Sequence, residues 1–201
     1  MNGMKKKMSR GWRKVQYWKS EVGVITIAIL SMAIVGQFKD PYRLHSRAKE
    51  PHFHKILEKS LEQNVDPVEA LAIAVTESAL NPKAYSHTKD VGLFQVNCKW
   101  WWKKFKYSSR YHCERSLLDP ARNIDAGLYI LKYFRRSFPQ CKGDMAYRCY
   151  NGGQRWRRSK NKAKIIKYSR AVQKRKRIIA RHYLEYIYAY QRRFVESELL
   201  H

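Results

Sequence analysis

Apolar positions along the chain fall into three regimes. Residues 22–38 carry no charged side chain and are apolar all round. From residue 52 the pattern becomes helical, broken by turn-formers. Phe53, Ile56, Leu57 and Leu61 recur at helical spacing and predict a helix over 52–64. Asp66-Pro67-Val68-Glu69 is a start signal: Asp66 caps, Pro67 takes the first helical position, and Glu69 completes a capping-box-like pattern. The helix that follows is apolar on nearly every side through Ser78 and stops before Asn81-Pro82, which predicts deep burial. Glu77 is the one carboxylate on its late part.

Residues 83–97 hold turn-formers and then Val-Gly-Leu-Phe-Gln-Val-Asn, short and strand-like or irregular. Asp119-Pro120 opens a helix through Asn123, Ile124, Leu128, Leu131 and Phe134 that ends near Pro139. A short helix over 143–150 gives way at Asn151-Gly152-Gly153. The third regime, about 162–197, places Ile165, Tyr168, Val172, Ile179, Tyr183, Ile187, Tyr190 and Phe194 at helical spacing, with Lys and Arg over much of the remainder. The expected class is mainly α with little sheet and no internal repeat. The expected parts are a cationic leader over 1–21, an apolar segment over 22–38, a linker over 39–51, a folded domain over 52–156, and a basic amphipathic helix over 157–201.

Charge sharpens this division. The 201 residues hold 42 Lys+Arg against 16 Asp+Glu, a net +26, so an anionic partner or surface is the default expectation. Residues 1–21 carry seven of the cations, 22–153 twenty and 154–201 fifteen, so the two ends are cationic arms. A 44% hydrophobic composition excludes a disordered chain, and 9 Gly, 6 Pro and 4 Cys exclude collagen and a cysteine-dense mini-protein. As a helix, 22–38 would reach ~25 Å, near the short limit for a bilayer core. Seven Lys/Arg precede it, and the positive-inside bias puts the N-terminus in the cytoplasm and the remainder outside. The reading adopted is an uncleaved inner-membrane anchor with the domain in the periplasm. A signal peptide cleaved after Ser31-Met32-Ala33 and a buried core helix are the alternatives. Nucleic acid is not the expected partner, because an exported chain rarely meets its own genome.

Cys98, Cys113, Cys141 and Cys149 are even in number and contain no C-x-x-C. Three pairings are open, as are four free thiols. Pairs 98–113 and 141–149 are favoured because each closes a short local loop, and an oxidising compartment would permit them. His52, His54, His87 and His112 lack metal-ligand spacing, so neither metal nor other cofactor is expected.

Three motifs remain: Glu77-Ser78-x-x-Asn81-Pro82-x-Ala84-x-Ser86, Gly92-Leu93-Phe94-Gln95-Val96-Asn97, and Tyr150-Asn151-Gly152-Gly153. Together, and in this order, they resemble the soluble lytic transglycosylase family, over about residues 52–156. The resemblance implies a lysozyme-like α+β domain that cleaves the MurNAc–GlcNAc bond of peptidoglycan glycan strands without net hydrolysis. Glu77 would protonate the glycosidic oxygen, then accept the proton of the C6 hydroxyl as a 1,6-anhydro ring closes. Such a group needs a pKa near the working pH, which a buried helix end can supply. Ser78, Ser86, Gln95 and Asn97 would hold the acid and the substrate's acetamido or peptide groups, with Tyr150 and Asn151 contacting the glutamate region. Gln95 and Asn97 could equally satisfy backbone groups in an irregular loop, and Asn151 could simply end a helix.

One departure matters. The family commonly has Gly-Ala where this chain has Lys89-Asp90. The string from Asp90 to Asn97 looks instead like c-type lysozymes and the specialised transglycosylases of secretion and conjugation systems. In those lysozymes the aspartate is the second catalytic carboxylate, and carboxyls about 5–5.5 Å apart suit a retaining hydrolase. Transglycosylation and hydrolysis by Glu77 and Asp90 therefore both stay open, with an inactive basic envelope- or nucleic-acid-binding module as the rival of another class. Trp100-Trp101-Trp102, Tyr107 and Tyr111 offer stacking faces for glycan, of which one or two are expected to touch sugar. The anchor and the Asp90-type motif place such an enzyme in local wall opening for a conjugation, secretion or pilus machine, or for phage genome delivery.

Overall fold

The computed structural model describes residues 51–198, with side chains through Arg181. The leader, the apolar segment and nearly all of the linker lie outside the described residues. Among those described, no helix is long and apolar enough to cross a membrane.

The chain order is α1 (Pro51–Glu62), α2 (Pro67–Ser78), β1 (Asp90–Val91), β2 (Val96–Asn97), α3 (Cys98–Trp101), α4 (Arg110–Ser116), α5 (Pro120–Ser137), α6 (Met145–Gly152) and α7 (Lys162–Glu198). Short 3-10 turns at Pro139–Cys141 and Trp156–Arg158 join the later helices. The only sheet among the described residues is a two-stranded antiparallel hairpin that pairs Asp90 with Asn97 and Val91 with Val96. The chain is mainly helical, as its periodicity predicts.

Helix α2 is the axis of the core. Val68 through Val75 are buried, and the helix packs against both α1 and α7. Its start forms as the sequence predicts: the Asp66 carboxylate accepts from the backbone N–H of Val68 at 2.9 Å and of Glu69 at 3.4 Å. Glu69 does not close a capping box. It is 2% exposed and turns inward to Arg135 of α5 and the Tyr147 hydroxyl of α6. A guanidinium buried by α5 outcompetes a solvated backbone N–H for the carboxylate. In α1, Phe53, Ile56 and Leu57 are buried as expected, but Leu61 is 63% exposed because it lies in the last turn, beyond the packed stripe.

Two expectations are displaced. The short helix of 143–150 forms two residues later, because Gly143 takes φ +53°, a turn conformation. The packed unit also runs past residue 156. Ile165, Val172 and Ile179 of α7 are buried against the domain, and Lys176 pairs with Asp66 at the head of α2 at 2.8 Å. Helices α3 and α4 had no periodic signal. They are seven residues or fewer, and the Cys98–Cys113 disulfide links them. The second disulfide is Cys141–Cys149, so both pairs are those favoured by loop length.

Candidate active site

The site forms where α2 ends. Two successive non-glycine residues, Ala79 at φ +51° and Leu80 at φ +63°, turn the chain in the left-handed region, and the Ala79 N–H bonds back to Val75. Such a conformation is uncommon for residues bearing a Cβ and fixes a sharp stop. Glu77 and Ser78 therefore sit in the last helical turn. The Ser78 hydroxyl bonds the carbonyl of Leu93 at 2.9 Å, tying the helix end to the loop that follows β1.

That loop is itself held from below. Asn123 of α5, 1% exposed, accepts from the Phe94 N–H at 2.8 Å and donates to the carbonyls of Val91 and Leu117 at 2.8 and 2.9 Å. Three bonds account for nearly all of its amide's capacity. Gly92, at φ +73°, lies so near this amide that a Cβ there would meet Asn123 Nδ2 at 2.3 Å. Gly127 likewise lets the Phe94 ring rest on α5, since a Cβ would meet that ring at 2.3 Å. The Tyr150 hydroxyl of α6 donates to the Phe94 carbonyl at 2.8 Å. Gln95, at φ +45°, donates to the carbonyls of Gly92 and Ala84 at 2.9 and 3.2 Å, so its amide nitrogen serves the backbone.

The Glu77 carboxyl is partly buried and accepts one hydrogen bond, from the Tyr168 hydroxyl of α7 to Oε1 at 2.6 Å. Burial pushes its pKa up to about 8; the Tyr168 bond pulls it down, and the Asp90 charge adds to the rise. The negative end of the α2 dipole acts in the same direction as burial. Burial, followed by the charge of Glu77, holds both Tyr150 and Tyr168 well above the usual phenol range, so both remain donors.

Asp90 is differently placed. Its Oδ2 accepts from Ser86 at 2.8 Å and from Thr88, and its Oδ1 accepts from the Asn97 amide at 2.6 Å. The Ser86 hydroxyl also receives the Asp90 N–H at 2.9 Å. The Asn97 amide further reaches the Thr88 carbonyl, while its oxygen caps α3 through Lys99 N–H. Ser86, Asp90 and Asn97 thus form one polar knot at the hairpin, and both carboxylate oxygens are engaged within it.

Of the residues singled out in the sequence, Glu77 and Ser78 form the helix end, Tyr150 and Asp90 join Glu77 electrostatically, and Gln95 serves the backbone of the adjoining loop. Asn151 stands apart: it is exposed, and its side chain makes no hydrogen bond among the described residues. Among the aromatics, Trp101 packs with Phe105, Tyr129, Tyr133 and Phe134, whereas Trp100 and Tyr111 are 71% and 72% exposed. Trp102 and Tyr107 are half-buried. Among the described residues, no three His, Cys, Asp or Glu side chains gather as a metal would require.

Sequence reasoning missed Tyr168 and Asn123 as site residues. Tyr168 was legible only as a stripe position of the basic helix, and Asn123 as one more residue on the buried face of α5.

The comparisons with known proteins bear on the same residues. The family model described as Transglycosylase SLT domain matches residues 54–173, which take in Glu77, the hairpin, Tyr150 and Tyr168. No curated protein matches the chain. Among solved structures, that of the 70 kDa soluble lytic transglycosylase SLT70 from Escherichia coli is 26% identical, with a TM-score of 0.43. The match covers 68% of this chain but only 23% of that one. With more than half of its length matched by the family model, and with the helix-end glutamate and its tyrosine inside the match, the chain belongs to the transglycosylase SLT domain family.

Proposed function

We propose that the chain is a peptidoglycan lytic transglycosylase that cleaves the MurNAc–GlcNAc bond and leaves a 1,6-anhydro end. The observation that carries this reading is a partly buried helix-end carboxyl, held by the Tyr168 hydroxyl within the residues that the family model matches and kept protonated at neutral pH by burial. In the forward step Glu77 gives its proton to the glycosidic oxygen as the bond from C1 breaks. The resulting carboxylate then takes the proton of the MurNAc C6 hydroxyl, and O6 closes on C1. The proton returns to Glu77 and no water is consumed. Tyr168, donating to Oε1, orients the carboxyl and steadies its ionised form between the two transfers.

Ser86, Thr88 and Asn97 hold the Asp90 carboxylate against the hairpin, which fits a supporting role for Asp90. We assign Asp90 to charge placement beside Glu77 and to holding the hairpin. Trp100, exposed three residues beyond Asn97, is the aromatic best placed to stack on glycan. The proposed setting is the periplasm, with residues 22–38 as an inner-membrane tether and local wall opening for a conjugation, secretion, pilus or phage machine as the use. The uncharged run and its cationic flank support that setting.

Mass spectrometry of purified peptidoglycan digested by the full chain tests the reaction. Anhydro ends that vanish in Glu77→Gln and fall about tenfold in Asp90→Asn are expected. Reducing ends, one water heavier, would assign a hydrolase and make Asp90 a catalytic partner.

Tyr168→Phe supplies a separate check. It removes a bond that favours the carboxylate, so the Glu77 pKa rises further. The alkaline fall of kcat/KM is expected to move up by about one pH unit. An unmoved limb would detach Tyr168 from the acid.

A further inference from the structure

Helix α7 has two sides of opposite character. At about 100° per residue, Ile165, Val172 and Ile179 fall on one side and are buried, and Tyr168 turns with them toward Glu77. Lys167, Arg170, Lys174, Arg177 and Arg181 recur at alternating three- and four-residue steps on the opposite side, and all five are exposed. They form a straight ridge of five cations about 21 Å long. None of the ion pairs among the described residues involves any of them. Lys176 of the same helix lies instead toward the domain and meets Asp66.

Five like charges on one helix face repel one another at each three- or four-residue step. An arrangement of this kind is relieved by an anionic partner. Because the ridge faces directly away from the packed side of α7, that partner approaches from outside the domain, on the side away from Glu77.

We propose that this ridge rests on an anionic bilayer surface, with lipid phosphates as its ligands. A convex, straight row of cations needs no shaped counterpart, and a plane of headgroups supplies anions along its whole length. The described part of the face carries no aromatic side chain, so it lacks the stacking platform used for single-stranded nucleic acid. From Ile165 to Ile179 the apolar side of α7 is already buried in the domain, so along the ridge the contact is electrostatic and not insertive. The chain between the uncharged run and α1, residues 39–50, is 12 residues long and spans at most about 40 Å, so the domain stays near any bilayer that holds the run. A tether plus a polybasic face is a two-part attachment, each part reinforcing the other. This inference draws on the tether proposed above only to keep the domain near the bilayer, and it is independent of the wall-cleaving chemistry.

The test is lysine acylation of the full chain mixed with phosphatidylcholine vesicles or with vesicles containing about one-third phosphatidylglycerol, read by peptide mass spectrometry. Labelling of Lys167 and Lys174 is expected to fall several-fold on the anionic vesicles and to recover in 0.5 M salt, roughly, where the Debye length is only a few Å. Lys83, exposed near the hairpin, is expected to label equally on both. Equal labelling of the ridge lysines on both vesicles would overturn the proposal, as would equal protection of Lys83. Protection by duplex DNA but not by anionic lipid would overturn it in favour of a nucleic acid. A chain that leaves neutral vesicles yet stays on anionic ones, with the ridge protected, would refute the tether and support the ridge. Digestion of peptidoglycan by the same sample reports separately on the catalytic reading.

Discussion

Glu77→Gln is expected to reduce anhydro-product formation by a factor of about 10² to 10⁴ while making the protein more stable at alkaline pH. The two effects share one cause. With a folded pKa of about 8 against 4.5 for an unperturbed glutamate, the folded chain retains a proton that the unfolded chain has lost. Between those values folding binds a proton, so wild-type stability falls as pH rises from about 4.5 to about 8 and then levels off. Glutamine carries no such dependence and keeps the shape of the protonated acid. The variant is therefore expected to unfold like wild type at pH 4 and to exceed it by about 2–4 kcal/mol at pH 9, after allowance for the partial exposure of the carboxyl. Thermal unfolding of both proteins across that range measures it. A constant gap would mean that Glu77 titrates normally and is no general acid at neutral pH. With the proposed chemistry, the protonated form is lost above about 8, and kcat/KM is expected to fall there.

What the sequence made legible follows from how local each feature is. The Asp66-Pro67 start, the apolar run to Val75 and the Asn81-Pro82 stop are nearest-neighbour signals, and they place Glu77 at a buried helix end without reference to the rest of the chain. The hairpin was legible as a string, since Asp90 and Asn97 frame it, and its register then brings them side by side. Both disulfides close loops of 15 and 8 residues, short enough for spacing to favour them.

Long-range partners were not legible. Tyr168 lies 91 residues from Glu77, and its stripe position says only that it faces something apolar. The high charge of residues 154–201 also makes that segment read as a separate arm. Its apolar stripe leaves the domain, a partner or a membrane open as what it meets, and through Ile179 that stripe packs on the domain beside α2. Glu69 was misread for a related reason: a capping box is a local competitor, and the guanidinium that defeats it comes from a residue 66 positions away.

That pair carries the largest expected effect on stability. Arg135 holds the Glu69 carboxylate in a two-pronged pair, with Tyr147 donating to the same group, and Glu69 is nearly inaccessible to water. Arg135→Met is expected to cost about 3–5 kcal/mol, because it leaves a buried charge with a phenol as its sole remaining partner. Adding Glu69→Met to the same chain should recover most of that loss, since a buried ion pair replaced by apolar groups of similar volume is often neutral. Urea unfolding of the two single variants and the double variant, read as midpoint shifts at unchanged slope, measures the coupling. Additive single and double effects would show that the pair contributes packing alone. Glu69 and Glu77 are eight residues apart on one helix, about 12 Å, and the acid sits where α2 is already leaving the core. The pair, with Asp66–Lys176 at the helix head, fixes α2 against α5, α6 and α7 at its N-terminal half. The double variant is therefore expected to keep its fold and much of its activity, while Arg135→Met alone loses activity in step with unfolding. Loss of activity by a fully folded double variant would instead assign the pair a direct part in positioning Glu77.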